Sequence, residues 1–517
     1  MSAIITDQVR ILNAKNFIAG ITTSINTYYT FVGLPNSTSI QSDWDINPPP
    51  PKDNFNEEND YWDTIIALKK INASDVRQVI KKRTWSSGTT FDMYRHDYSS
   101  SNVAKISGKP NLYSTLYYVL NSDYRVYICL NNGTDPDNPS GRPSLDEPTF
   151  TDLEPITAGP SGDGYIWKYL YTIRPSDIIK FESTDFMPVP SNWESSIENS
   201  AVRNNAVDGS IKIITITSRG VGVGTANRVY TRVPIKGNGS GAECTLVVNN
   251  DQKIESVTIS NQGSGYTYGN VDLISGGVPT GTTTPTFDVI ISPQGGHGYD
   301  IYKELGAYNV LLYSRIENDN ENPDFITGNQ IARVGIIENP TEYASSQKLS
   351  SDKVSAVYAI KLTGIGLNSS LFTPDSLISQ TISTGVTAFG RVINYDSTTG
   401  VLKYWQDKTL AGFNTNGTSQ VSPPYGLNLT QFTSSPTTGG SLIIFGNSGG
   451  TLSINSAFTG ISTVINSRTY YLGQSFINGL ANPEVKKYSG NIIYVDNRPS
   501  ITRSSNQKED IKVILQF

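Results

Sequence analysis

The sequence predicts a mainly β, multidomain protein: an α+β core that carries two inserted β domains. Three observations predict it. Short runs of β-branched and aromatic residues recur along the chain, separated by glycine, proline and asparagine, the pattern of strands joined by turns. The 45 glycines and 27 prolines are spread throughout, and only 17% of residues are charged, against roughly 25% in an average globular protein. Ser, Thr, Asn and Gly fill the difference, as in turn-rich β proteins. Finally, 517 residues exceed what one core supports, so about three or four domains are expected.

Residues 1–100 hold most of the expected helix. A first helix runs from Asp7 to about Ile21 behind Thr6, a good N-cap residue, with Val9, Leu12, Phe17 and Ile21 as its apolar stripe. Residues 28–33 (YYTFVG) read as a strand, and the prolines at 48–51 hold the chain extended. Residues 60–70 (DYWDTIIALKK) read as a second helix with Ile65 and Leu68 on one face. Strands follow at 116–120, 124–130 and 165–173, the last two separated by a turn-heavy segment, 131–164. The pair Asp163-Gly164 is a tight turn that launches the last of these strands. Period-two alternation puts Tyr165, Trp167, Tyr169 and Tyr171 on one face, with Ile166 and Leu170 on the other.

Composition changes at 206–298. IKIITIT (211–217) followed by GVGVG is echoed by IESVTIS (254–260) followed by GSGY, and each copy continues into a further strand, 229–235 and 271–274. A tandem strand–turn–strand unit of about forty residues is expected, forming a compact β domain. Residues 299–349 return to the earlier style, with strands at 309–315 and 333–338. Residues 350–480 are again rich in Gly, Ser and Thr; TAFGRVINYDSTTGVLKYW (387–405) is their clearest element, a hairpin around Asp396 to Gly400. The chain closes on two strand-like runs, 491–496 (NIIYVD) and 510–517 (DIKVILQF), with a break at Asn497-Arg498-Pro499. Two strands alone are marginal in water, so together they are expected to complete a sheet begun much earlier in the chain. The organisation is then a core (1–205, 299–349, 481–517) with insertions at 206–298 and 350–480.

The search for chemistry returns little. A net charge of −6, with no basic block longer than Lys81-Lys82-Arg83, lacks the electrostatic footprint of a nucleic-acid binder. No apolar run approaches the ~20 residues of a membrane span, and the first residues lack a basic-then-apolar leader, so a soluble chain made in a cytoplasm is expected. Cys129 and Cys244 lie in strand-like runs and are expected as buried free thiols. The two histidines, His96 and His297, sit among aromatic and glycine neighbours that suggest a turn or surface role, and no G-x-S-x-G elbow accompanies them. The glycines at 222/224 and 239/241 do not complete a phosphate-binding pattern. Acidic clusters at Asp135/Asp137 and at Asp319, Glu321 and Asp324 are interrupted by proline and lack EF-hand spacing. The expectation is a protein that is not an enzyme, with no catalytic residue, metal ligand or cofactor-binding residue nominated. The 29 tyrosines suit protein interfaces and sugar binding alike.

One ordered set of landmarks resembles a known family. GDGYIWKYLYTI (162–173), with Gly162, Asp163, Gly164, Tyr165 and Trp167, resembles a stretch of the baseplate wedge subunit of T4-like contractile-tailed bacteriophages, the product of baseplate gene eight. Gly490, Tyr494, Asn497, Arg498 and Pro499, with the closing strand 511–517, resemble that family's C-terminus. Arg83-Thr84-Trp85 and VYICL (126–130) precede these landmarks and IIENP (336–340) falls between them, all in family order, and the landmarks together cover about half the chain. The resemblance implies a β-sandwich-rich core forming a homodimer within a wedge of the tail baseplate, in contact with neighbouring wedge proteins, in a virion assembled in the host cytoplasm. It implies a mechanical role, holding the wedge together and transmitting rearrangement when the sheath contracts, with no nucleic-acid or membrane partner. Its shorter members lack most of 206–298 and 350–480. The alternative is a tail-associated adhesin whose inserted β domains bind host-surface glycans.

Overall fold

A computed structural model describes residues 6–23, 25–38, 41–317, 330–364, 367–368, 370–406, 430–446, 452–502, 504 and 507–517. Strands account for 42% of it and helices for 10%, well above the roughly 20–25% strand of an ordinary domain; the protein is mainly β and multidomain, built from antiparallel sheets. The chain divides into two units. One comprises residues 1–17, 77–312 and 513–517, the other residues 18–76 and 313–512. The segments grouped above as core thus contribute to both.

In the first unit a three-stranded antiparallel sheet, Tyr118–Leu120, Arg125–Asn132 and Tyr165–Thr172, lies at the centre of an aromatic core. Tyr117, Tyr127, Tyr165, Trp167 and Tyr171 are all fully buried there. The alternation expected along 165–173 does not hold. Pairing slips twice, so that Val126 faces Tyr171 and Tyr127 faces Tyr169, leaving Leu170 as the extra residue of a bulge. Leu170 is consequently buried beside Tyr171 while Tyr169 is only half-buried. Lys168 is buried as well.

The first helix is Asp7–Thr22, with the Thr6 carbonyl accepting from the Arg10 N–H. Its buried positions are Ile11, Ala14 and Ile21, whereas Val9 and Leu12 are exposed, so the apolar stripe is rotated from the expected one. Ala14, too small to dominate a hydrophobicity reading, marks the contact face because its side chain lets a neighbour approach closely.

Residues 211–291 carry a hydrophobic cluster of their own, from Ile211 to Ile291. The four-stranded sheet runs in the order Ile254–Ser264, Ser240–Val248, Val229–Gly237, Gly269–Val271, and Ile211–Ser218 pairs separately with Thr286–Ile291. The two sequence copies are therefore not equivalent in space. The first strand of one pairs with 286–291, and the first strand of the other pairs with 240–248. Cys244 is buried in this core and Cys129 in the larger one, both as free thiols; burial raises both pKa values, that of Cys244 to about 12.

In the second unit a five-stranded sheet has the order Lys353–Ser355, Ile65–Lys70, Tyr28–Gly33, Gln330–Glu338, Asn491–Thr502. The helix expected over 60–70 is displaced. It runs Phe55–Thr64, capped by the Asn54 side chain accepting from the Glu57 N–H at 3.0 Å, and gives way to the strand at Ile65. Ile65, Ile66, Ala67 and Leu68 are all buried, because this strand is sandwiched between two others and meets protein on both faces. A continuous apolar run of that kind has no alternation to betray it.

A larger sheet runs Leu377–Ser383, Val386–Asp396, Val401–Trp405, Tyr358–Thr363, Leu452–Ile454, Ile443–Ile444, with Leu480–Ala481 alongside Tyr358–Thr363. The hairpin expected at 387–405 is present, turning at Gly400 with φ +68°. A separate two-stranded ribbon, Gly460–Ile465 with Arg468–Phe476, turns on Asn466 and Ser467, both at positive φ.

The closing strands differ from expectation in two ways. Asn491–Thr502 pairs with Gln330–Glu338 at the end of the five-stranded sheet, whereas Lys508–Gln516 neighbours Asn309–Glu317 in another sheet. They do not complete one sheet together. Nor does Asn497-Arg498-Pro499 end a strand. Ile331 faces Ile501 and Arg333 faces Asn497, so Arg498, Pro499 and Ser500 fall in a bulge of a continuous strand. A proline is tolerated there because a bulged residue in an outer strand need not donate to the ladder.

Candidate functional site

The landmark residues fall into two constellations, one in each unit. In the first unit Asp163 is buried. Its Oδ1 accepts from the Tyr165 N–H at 2.9 Å and its Oδ2 from the Leu145 N–H at 2.9 Å. This closes the expected turn and ties down the segment before it. Gly162 and Gly164 both have positive φ, and a Cβ on Gly164 would stand 2.8 Å from the Gly133 Cα, so backbone meets backbone there. Tyr165 then stacks on Trp167 with ring centroids 5.3 Å apart, while Phe91 meets both rings edge-on. The Tyr165 hydroxyl donates to the Arg142 carbonyl at 2.7 Å and accepts from the Phe91 N–H at 2.9 Å. Burial raises its pKa well above the ordinary tyrosine value.

In the second unit the landmarks from Gly490 to Pro499 lie along the strand Asn491–Thr502, whose outward groups are met by residues 44–49. Trp44 Nε1 donates to the Arg498 carbonyl at 2.8 Å, Asn497 Nδ2 donates to the Pro49 carbonyl at 2.9 Å, and the Ser500 N–H donates to Asp45 Oδ1 at 3.0 Å. The expected proline-rich extended segment is thus a strap on an outer strand. Gly490, at φ +74°, lets the chain pass close to the Glu338 carbonyl. Next to it Tyr488 donates its hydroxyl to Asp63, and desolvation followed by the Asp63 charge raises its pKa strongly.

Beneath the strap lies a residue that sequence reading missed. Arg333 is 2% exposed. Its Nε donates to Asn497 Oδ1 at 3.0 Å, its Nη2 to Asn36 Oδ1 at 2.6 Å, and its Nη1 to Thr64 Oγ1. The guanidinium lies between the rings of Trp44 and Tyr61, 4.9 and 5.2 Å from their centroids. No carboxylate stands at ion-pair distance among the described residues, and desolvation lowers the pKa to about 10, so the charge is retained at neutral pH. The only signal in the sequence was an arginine inside an apolar strand run.

The groups that suggest chemistry are bound to the scaffold. His297 is buried in its glycine turn, not at the surface, with Nδ1 2.5 Å from Glu304 Oε1; Glu304 Oε2 accepts from the Gly298 N–H at 2.7 Å. His96 Nδ1 accepts from the Ile291 N–H at 3.3 Å. Asp135 accepts from the N–H groups of Asp137 and Asn138 and pairs with Arg142, while Asp137 pairs with Arg219. Asp319, Glu321 and Asp324 lie outside the described residues. Among those described, no three His, Cys, Asp or Glu residues converge to hold a metal ion, and no helix is long and apolar enough to cross a membrane. The chain matches no family model and no curated protein.

Proposed function

We propose that this chain is a structural component of a contractile phage tail baseplate, a wedge subunit that holds neighbouring wedge proteins together and transmits rearrangement on sheath contraction. The supporting observation is how the landmark residues are used. Asp163 and Gly164 shape a turn, Gly490 permits a close backbone pass, and Asn497 and Arg498 join an outer strand to its strap. These are roles in architecture, in keeping with a protein whose work is mechanical. Self-association as a homodimer and contact with other wedge proteins would use surface such as Ile493 and Ile501, 40% and 56% exposed on the outer strand.

The test is electron microscopy of purified particles labelled with two antibodies, one against 77–205 and one against 350–480. Label at the distal plate of the tail is the expected result. Label on fibres would replace this reading with the adhesin, as would glycan capture by the 350–480 surface. A stable monomer, absent even from denatured virions on blotting, would end both.

A further inference from the structure

In the first unit Lys168 lies on the strand Tyr165–Thr172 of the aromatic core and is 2% exposed. Its Nζ donates to the Leu153 carbonyl and to Asn205 Oδ1, the latter at 3.4 Å. Asn205 closes the short helix Ser200–Asn204, 37 residues further along the chain, and is half-buried. Its Nδ2 donates to Glu154 Oε1 at 3.1 Å, and Glu154 Oε2 accepts from the Lys212 ammonium at 2.6 Å. An amine, a carboxamide and a carboxylate thus stand in one chain of contacts, and each suits a different part of one reaction.

The nucleophile is Lys168. Burial, with the Lys212 charge acting in the same direction, lowers its pKa to about 8 against the opposing charges of Glu304 and Glu154. Roughly a tenth of it is then neutral amine at pH 7, and a desolvated neutral amine is an activated nucleophile. The electrophile is Asn205 Cγ, one bond from the oxygen that Nζ already contacts. A carboxamide gives up its nitrogen only when that nitrogen receives a proton. Glu154 stands on the Nδ2 hydrogens, placed to take a proton from the amine and deliver it there. Against partial desolvation, the bonds from Lys212 and Asn205 lower the Glu154 pKa and keep it in the ionised form that accepts.

We propose that Lys168 and Asn205 become joined by an intramolecular isopeptide bond, with Glu154 as the proton relay. The Nζ–Cγ bond forms, the Cγ–Nδ2 bond breaks, one Nζ proton passes through Glu154 to Nδ2, and ammonia leaves. The step is redox-neutral and needs no co-reactant. The bond ties the central strand of the aromatic core to residue 205, just ahead of the strand Ile211–Ser218. Load entering through the inserted β residues then reaches the core through a covalent link. The chemistry is independent of the wedge reading.

The experiment is intact-mass spectrometry of the full chain, followed by tryptic mapping. The expected mass lies below the sequence mass by one ammonia. Trypsin should fail to cut after Lys168, and one branched peptide should contain both Lys168 and Asn205. Lys168→Met and Asn205→Ala should each show the full mass of its own sequence. Glu154→Gln, at an exposed position, should fold as the parent does by circular dichroism and form the bond about a hundredfold or more slowly. A parent chain that keeps its full sequence mass after prolonged incubation near pH 8 would overturn the proposal. So would loss of ammonia without a branched peptide, the mark of a succinimide at Asn205. Equal rates in the parent and Glu154→Gln would overturn the relay.

Discussion

Arg333 and Lys168 are both buried cations with no carboxylate at ion-pair distance among the described residues, and they are held differently. Arg333 has three side-chain oxygens and two aromatic rings around it. Replacing it by methionine strands the buried oxygen of Thr64, an unpaired buried acceptor costing about 1–3 kcal/mol, and takes a donor from the half-buried oxygens of Asn36 and Asn497, which water partly replaces. A total loss of about 2–4 kcal/mol is expected in denaturant unfolding of Arg333→Met, and Arg333→Lys should recover little of it because an ammonium cannot span the fork. Lys168 is 2% exposed, its ammonium donating to the Leu153 carbonyl and to Asn205 Oδ1 at 3.4 Å, and burial lowers its pKa to about 8. Between pH 8 and the unfolded value near 10.4 the unfolded chain therefore binds the extra proton. Stability from this group is fully present above the unfolded value and is lost as pH falls through 8. While its amine is free, Lys168 should contribute a gain of about 1–3 kcal/mol between pH 7.5 and pH 10, read as the difference in slope between the parent and Lys168→Met, because the buried thiols of Cys129 and Cys244, with raised pKa values, oppose it above about pH 8.5 as the unfolded thiols ionise. Above pH 10 buried tyrosines such as Tyr94 and Tyr171, whose pKa values are raised, add to the loss of native stability once the unfolded chain deprotonates. Neither cation was legible as special from its neighbours in sequence; what singles them out is enclosure by segments far along the chain.

At the level of elements, the strand Ile65–Lys70 and the ribbon 460–476 show opposite cases. Leu68 faces Phe31, and Phe31 in turn lies across Gly335, where a Cβ would strike its ring. Gly335→Ala should destabilise the five-stranded sheet by about 1–3 kcal/mol. Phe31→Leu should compensate in part, a coupling that a double-mutant cycle in urea would read. The ribbon depends on local chemistry instead. Asn466 and Ser467 have φ of +49° and +62°, a turn that asparagine tolerates and serine does not favour. Ser467→Gly should stabilise the ribbon by about 0.4–1 kcal/mol, measured as slower amide exchange at residues 460–471. Hairpins such as 387–405 were legible because their turn residues and alternation are adjacent in sequence. The strand 65–70 was not, because burial on both faces erases alternation and leaves an apolar run that also fits a helix.

For the whole molecule, two units with separate hydrophobic clusters predict more than one unfolding transition in calorimetry. Lys168→Met should shift one transition and Arg333→Met the other; a single transition moved by both would contradict the division. The chain's own composition and turn chemistry determined the β class, the strands at 28–33 and 165–173, the Asp163-Gly164 turn and the burial of two free cysteines, because each depends on residues near one another in sequence. Only the tertiary structure decided that the two closing strands enter different sheets, that Pro499 sits in a bulge under a strap from 44–49, and that Arg333 is caged. Those outcomes are pairings across hundreds of residues, and local periodicity specifies which face of a strand is apolar without specifying which partner covers it.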